Sequence, residues 1–369
     1  MYQVRFVYWN LLGETNMSFG GLSINKTTLI FGIFIFFVEL SYQGLRTTVL
    51  ASPSAVVLMY HRFGEGEYPS TNTTVEQLDG HIKELLSGQY KILPVPEIVE
   101  RLLDGEALPS KTIGITIDDA YRSVYEVAWP KFKAANLPIT IFVSTAHIDS
   151  SSRRHMSWGQ LRDLAEQGVT IGHHTVSHLH MIAASRELID KELTEAYSRF
   201  EEELGFRPRV FSYPYGEASL AIIKQIRDFG FDAAFGQHSG AIGNKSDRFY
   251  LPRFSMNESY GGLDRFRLVI NALPLPLTDV TPVDPLLGAE LQTPNPPPMG
   301  FTMAEHYKNL EKLACFLSHA GRAEIERLGH SRFEVRTSQP FPKGRTRLNC
   351  TLPGPDRRWH WYGRQFYRP

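Results

Sequence analysis

Asp118 and Asp119 stand side by side at the end of an apolar run, "IGITIDDAYRS" over residues 113–123. Adjacent carboxylates repel, and burying either one unpaired is costly, so something positive is expected beside them. His174 and His178, in "GVTIGHHTVSHLH", are spaced i, i+4. One helical turn, or a tight loop at a strand end, would bring both imidazoles to one side. Two histidines and one carboxylate make a ligand set that leaves positions open for water and substrate. Zinc takes such N and O donors, and other divalent metals accept the same set. Either aspartate could be the ligand. The other would then be free as a general base toward a water whose pKa the metal lowers. Each pair alone is weak: HxxxH also arises as exposed loop histidines, and Asp-Asp as a solvated turn or helix cap.

Placement joins the two pairs. From Ala55 to about Arg253, strand-like and helix-like runs alternate. "AVVLMY" (55–60), "TIGITI" (112–117), "PITIFVS" (138–144), "VTIG" (169–172), "RVFSY" (209–213), "FDAAF" (231–235) and "FYLPRF" (249–254) read as strands rich in β-branched and aromatic residues. Helical spacing is expected over 75–87, 95–105, 121–135, 157–168, 185–205 and about 218–229, with Ser157 and Ser185 as caps. Repeated βα units of this length imply an α/β fold with a parallel sheet, closed as a barrel or doubly wound. In either fold the chemistry sits at the C-terminal ends of the strands. Both the aspartates and the histidines follow predicted strands.

Lys+Arg and Asp+Glu are equal at 39 each in 369 residues, so no nucleic-acid partner is indicated. Residues 29–38, "LIFGIFIFFV", have signal-peptide length and predict export, with the segment either cleaved near Ala51 or kept as a membrane anchor. Translation could begin at Met1 or Met17. The expected location is periplasmic or otherwise extracytoplasmic. There Cys315 and Cys350, the only two cysteines, could pair. The expected organisation is a leader or anchor (1–51), a catalytic domain (52–273), a connector (274–300) and a small β-rich unit (301–369). The connector carries eight prolines. Within the last unit, residues 321–369 hold eleven Lys/Arg against four Asp/Glu, with seven aromatics interleaved. That balance suits either a face for an anionic glycan or membrane surface, or a β-domain with a charged exterior and an aromatic core. Oligomeric state is not indicated.

"TIDDAY", "HHTVSH" and "FSYPYGE" resemble, in order, the first three motifs of the NodB-homology polysaccharide deacetylases, carbohydrate esterase family 4. The resemblance spans roughly residues 54–255. It implies a distorted (β/α) barrel and metal-dependent removal of N-acetyl groups from a poly- or oligosaccharide of chitooligosaccharide, exopolysaccharide or peptidoglycan type. Carried over, Asp118 is the base, and Asp119, His174 and His178 bind a divalent metal, zinc above all. His173 then stands behind the ligands or at the surface. The third motif departs from the common Arg-Pro-Pro-Tyr and resembles the poly-N-acetylglucosamine deacetylase branch. There the backbone N–H of Tyr215 takes the oxyanion position. The arginine that would brace Asp118 is missing from that motif, and Arg253 in "YLPRF" could replace it. No late Leu-x-Ile-His motif is present, so His61 or His238 could serve as general acid. Tyr121, Trp158, Phe211, Tyr213, Tyr215 and His238 are candidate substrate contacts, the aromatic ones as stacking surface for sugar rings. Two other readings remain: a carbohydrate-binding protein on a degenerate deacetylase scaffold, and a hydrolase of another amide or O-acetyl ester.

Overall fold

The computed structural model describes residues 54–150, 152–288, 294–307 and 309–369, so the leader, its cleavage site and both candidate start codons lie outside the described residues. In the first part of the described chain the strands are β1 (Ser54–Tyr60), β2 (Arg62–Phe63), β3 (Asn72–Thr73), β4 (Lys91–Ile92), β5 (Thr112–Asp118), β6 (Thr140–Val143), β7 (Thr170–His173), β8 (Val210–Ser212), β9 (Ala233–Phe235), β10 (Ile242–Gly243) and β11 (Phe254–Ser255). A nine-stranded sheet runs β10-β1-β5-β6-β7-β8-β9, with β11 added at β1 and β4 at β5. Every pairing in it is parallel except β1 with β10. The result is a mixed α/β fold whose sheet curls as a half-barrel.

Burial explains the strand composition. All of β5 and all but the first residue of β1 are buried, as expected for parallel strands covered on both faces. Ile113, Ile115 and Ile117 each contribute roughly 1.5–3 kcal/mol through burial. The covering helices sit close to where their caps predict them. Thr74 and Ser157 form capping boxes at the helices Val75–Leu85 and Trp158–Glu166. Ser185 caps the helix Arg186–Leu204, which Gly205 ends in the left-handed region. The expected helix over 121–135 departs from the α form: Val124–Ala128 is a π-turn running into the short helix Trp129–Ala134. Pro130 explains the change, because it cannot donate to the helical ladder. The expected strand over 249–254 narrows to β11, with an isolated bridge between Phe235 and Leu251.

In the second part the strands are β12 (Leu273–Pro274), β13 (Leu277–Thr281), β14 (Met299–Met303), β15 (Ala314–Leu317), β16 (Gly321–Arg322), β17 (Glu324–Leu328), β18 (Arg332–Arg336), β19 (Gly344–Pro353) and β20 (Trp359–Arg368). They form a five-stranded sheet, β12-β20-β19-β15-β16, and a four-stranded sheet, β13-β14-β18-β17. One core lies between them, with Phe301 and Phe333 from one sheet and Leu348, Leu352 and Phe366 from the other. Along β19 the burial alternates, with Thr346, Leu348, Cys350 and Leu352 facing inward. The proline-rich residues 274–300 supply β13 and begin β14. β12 and β13 are edge strands, where proline is tolerated. This β unit is seated on the curled sheet: Trp361 meets Phe254 edge-on at 5.1 Å, and Gly363 packs on the backbone of Ser239. A Cβ at Gly363 would lie 1.8 Å from the Ser239 carbonyl oxygen, so only glycine fits.

Candidate active site

Asp118 is the last residue of β5 and exposes no surface. Arg253, just before β11, is equally buried and reaches it with two hydrogen bonds, Nη1 to Oδ1 at 2.7 Å and Nη2 to Oδ2 at 2.9 Å. The guanidinium also donates from Nε to the Gly236 carbonyl, from Nη1 to Thr116 Oγ1 and from Nη2 to Ser212 Oγ. All five N–H donors therefore have an acceptor, which is what lets a full charge sit in the interior. Burial alone would raise the Asp118 pKa. Arg253 outweighs it, helped by His174 and His61, and holds the carboxyl well below the usual range.

Asp119 and Ala120 follow with φ of 70° and 51°. Two non-glycine residues in the left-handed region store about 1 kcal/mol or more each, and the turn they make sends the two neighbouring carboxylates to different partners. Asp119 faces the histidines. Its Oδ1 lies 3.6 Å from His174 Nε2 and 3.4 Å from His178 Nε2. The i, i+4 spacing is realised by a tight loop, not a helical turn: Thr175 and His178 have φ of 66° and 56°. Buried Glu192 fixes that loop by accepting from the backbone N–H groups of Val176 and Ser177 and from the Ser177 hydroxyl.

The tautomer of His174 follows from its partner. Nδ1 lies 2.7 Å from the Ser212 carbonyl oxygen, which can only accept, so Nδ1 carries the proton and Nε2 presents a lone pair. That lone pair and Asp119 Oδ1 are both buried, and among the described residues neither has a hydrogen-bond partner. Two acceptors turned toward each other without a proton between them are a defect in a folded protein unless a cation joins them. The ligand atoms of Asp119, His174 and His178 lie within 4.8 Å of one another. The donor set of two nitrogens and a carboxylate fits a divalent metal such as zinc.

The third motif forms a short 3₁₀ turn, Pro214–Gly216, with Tyr215 at φ 59°. The Tyr215 ring packs edge-on against His178 at 4.4 Å and stacks on His180 at 3.9 Å. Among the described residues its backbone N–H has no acceptor within the chain. His61, which follows β1, places Nε2 3.9 Å from Asp118 Oδ2.

Residues 105–234 match the family model described as polysaccharide deacetylase. The chain carries a polysaccharide deacetylase domain. The Bacillus subtilis protein YxkH, whose name places it among polysaccharide deacetylases, is 25% identical over 207 residues, covering 56% of this chain and 72% of that protein. A poly-beta-1,6-N-acetyl-D-glucosamine N-deacetylase of Staphylococcus aureus is 22% identical over 231 residues, covering 56% and 79%. The fold is shared with the Streptococcus pyogenes deacetylase PplD, solved in complex with acetate (TM-score 0.56, 18% identity, 60% of this chain and 99% of that one). It is also shared with a de-N-acetylase from Aggregatibacter actinomycetemcomitans (TM-score 0.53, 19% identity, 58% and 98%).

The curled sheet thus brings together Asp118, Asp119, His174, His178, Tyr215, Arg253 and His61. Other candidates are placed elsewhere. Tyr213 is fully buried and donates its hydroxyl to the Phe249 carbonyl, and Phe211 is fully buried beside it. Trp158 packs on Phe200 and donates to Asp149. His238 is buried against Tyr250, and its backbone carbonyl accepts from Arg253. These four are interior side chains, not sugar-stacking surface, because each is packed against its neighbours with its ring buried. His173 is buried among Tyr197, Phe200, Phe211 and Phe231, where Nδ1 accepts from the Thr175 backbone N–H. Tyr121 stays at the site edge, with Arg62 3.5 Å over its ring and His155 stacked at 4.9 Å. Burial raises its hydroxyl pKa, and the neighbouring Asp119 carboxylate adds to that.

Sequence reasoning missed Thr116, Ser212, Glu192, His147 and His155. Thr116 and Ser212 belong to the quoted stretches "TIDDAY" and "FSYPYGE", and as polar residues in apolar strands they carry a signal of a buried polar partner. His147 stacks on His155 at 4.6 Å and lies 6.2 Å from His178. No spacing in the chain links those rings to the deacetylase motifs.

Proposed function

We propose that this protein is a metal-dependent hydrolase that removes N-acetyl groups from the N-acetylhexosamine units of a poly- or oligosaccharide. One observation carries the reading: unpartnered, buried lone pairs on Asp119 and His174, with His178 beside them, face one point next to an ionised and braced Asp118. A divalent cation there, zinc by preference, would acidify a water and polarise the acetyl carbonyl.

The chain's own groups then divide the work. Arg253 uses one lone pair on each Asp118 oxygen and keeps the carboxylate charged, leaving the other lone pairs to accept the proton of the attacking water. The water oxygen bonds to the carbonyl carbon, and the Tyr215 N–H meets the negative charge that develops on the carbonyl oxygen. As the C–N bond breaks, His61 supplies a proton to the departing nitrogen, giving acetate and a free amine on the glycan. His61 suits this role better than His238, which is buried away from the aspartates. The name of the Staphylococcus aureus relative favours β-1,6-linked N-acetylglucosamine as the substrate. An exported or membrane-anchored location fits such a polymer.

The test is acetate release by the full chain from β-1,4- and β-1,6-linked N-acetylglucosamine oligomers, with zinc, beside the variants Asp118→Asn and His61→Gln. Release from one linkage that falls by roughly 10²–10⁴ in each variant supports the roles assigned. Zinc bound to folded protein with no release from either linkage would overturn the reading in favour of a binding protein or another acyl substrate.

A further inference from the structure

We infer that the C-terminal β unit is part of the catalytic apparatus, with Gln365 of β20 a positioning residue for the Tyr215 turn. The inference rests on the Tyr215 amide being the oxyanion donor, as proposed above.

The turn is an assembly of three peptide planes, and nearly every polar end of them is tied down. The Pro214 carbonyl accepts from the Glu217 N–H at 3.2 Å. The Gly216 N–H donates to the Tyr213 carbonyl at 2.8 Å, and the Gly216 carbonyl accepts from the Tyr250 hydroxyl at 2.9 Å. The Tyr215 carbonyl is held from outside the domain, by Gln365 Nε2 at 3.0 Å across 150 residues of chain. What is left over is the Tyr215 N–H. Tyr215 itself sits at φ 59°, a conformation that a side chain with a Cβ leaves unless its surroundings fix it. The Gln365 bond holds the Tyr215–Gly216 plane; the donor N–H lies on the Pro214–Tyr215 plane, hinged to it at the Tyr215 Cα, and the Glu217 N–H on the Pro214 carbonyl holds that one.

Gln365 is built for that task. It is 2% exposed, and its Oε1 accepts from Arg347 Nε at 3.1 Å. That bond orients the amide so that the NH₂ end faces Tyr215. A second contact braces the side-chain half of the turn. Arg345 of β19 lies 5.3 Å over the Tyr215 ring and 3.7 Å from Glu217 Oε1, and Glu217 Oε2 pairs with His180, which also stacks on that ring. A donor aimed in advance at the developing charge is worth more than one that must reorient during the reaction.

The experiment uses the full chain with Gln365→Met and Gln365→Glu, two side chains of matching length that cannot donate to the carbonyl at neutral pH. Two readouts are taken. In hydrogen exchange, the segment over 213–217 is expected to exchange at least tenfold faster in both variants, with β5, β7 and the zinc affinity unchanged. Unchanged exchange there would overturn the inference whatever the enzyme's substrate. In kinetics, kcat is expected to fall about tenfold with KM within twofold, and affinity for a phosphonate mimic of the tetrahedral state to fall in step with kcat. Equal kcat in variant and wild type would overturn it. So would loss of zinc binding or general acceleration of exchange, which would make Gln365 a plain stability residue. Wild-type protein that releases no acetate would sink the deacetylase reading, while the exchange measurement still judges the strut.

Discussion

Asp118 and Arg253 are separated by 135 residues and meet as a pair with two hydrogen bonds and no exposed surface on either side chain. Burying one charge without the other is what the arrangement makes expensive. Asp118→Asn leaves a guanidinium charge uncompensated, so it should destabilise the fold by about 3–5 kcal/mol as well as remove the base. Arg253→Met should cost a similar amount, by orphaning the carboxylate. The double variant Asp118→Leu/Arg253→Met should recover most of the stability and none of the activity. Denaturant titration of the three variants beside acetate release checks this. A double variant no more stable than the singles would show that the pair is not the coupled unit described.

Asp119, His174 and His178 should bind zinc in isothermal titration with one site per chain. His174→Ala should weaken it by at least 100-fold, and so should Asp119→Ala. Serving as a ligand-positioning group, Ser212 acts through its carbonyl, so Ser212→Ala should leave the ligand set intact and instead weaken the Arg253 network. Zinc should also raise the unfolding midpoint of the wild type, since it binds only the folded site. A midpoint unmoved by saturating zinc would count against the site.

The order of strands and helices was legible because apolar periodicity and caps coincide: Ser157 and Ser185 both stand where the sequence puts them. The two motif pairs were legible for a related reason, since each ends a buried strand of one parallel sheet. The interior fate of Tyr213, Trp158 and His238 was not. An aromatic beside a motif reads the same whether the strand turns it outward or inward, and a strand end has no fixed phase once φ changes sign, as it does at Asp119. Gln365 was invisible for a different reason. Its partner is a backbone carbonyl, and a carbonyl carries no residue identity in the chain.

His81 gives a pH dependence unrelated to the site. It is 1% exposed, pairs Nδ1 with the Tyr60 hydroxyl and Nε2 with the Gly261 carbonyl, and stacks on Phe266 at 3.9 Å. Burial pulls its pKa from 6.5 down to about 4. Between those values the unfolded chain binds a proton that the folded chain refuses, so stability falls as pH drops from 6.5 to 4, by at most about 3 kcal/mol. Above pH 6.5 the term vanishes. Unfolding free energy measured from pH 7.5 to 4 should therefore be steeper in wild type than in His81→Gln. Parallel curves would refute the assignment.

Cys315 and Cys350 are direct cross-strand partners on β15 and β19 and form a disulfide inside the second core. The bond closes a loop with a sequence separation of 35, so removing it should cost roughly 3–4 kcal/mol by chain entropy. Cys315→Ala/Cys350→Ala should lower the unfolding midpoint of the full chain. If Gln365 acts as inferred, acetate release should fall before the deacetylase domain itself melts.

Gln365 also imposes an order in time. A ribosome adds about 5–20 residues each second, so the 150 residues between Tyr215 and Gln365 take on the order of 10–30 s to make. The aspartates, both histidines and the tyrosine are all synthesised before that interval starts. A nascent chain can therefore bring Asp119, His174 and His178 together well before Gln365 exists. On the reading proposed above, full turnover is a later acquisition of the growing chain than metal binding.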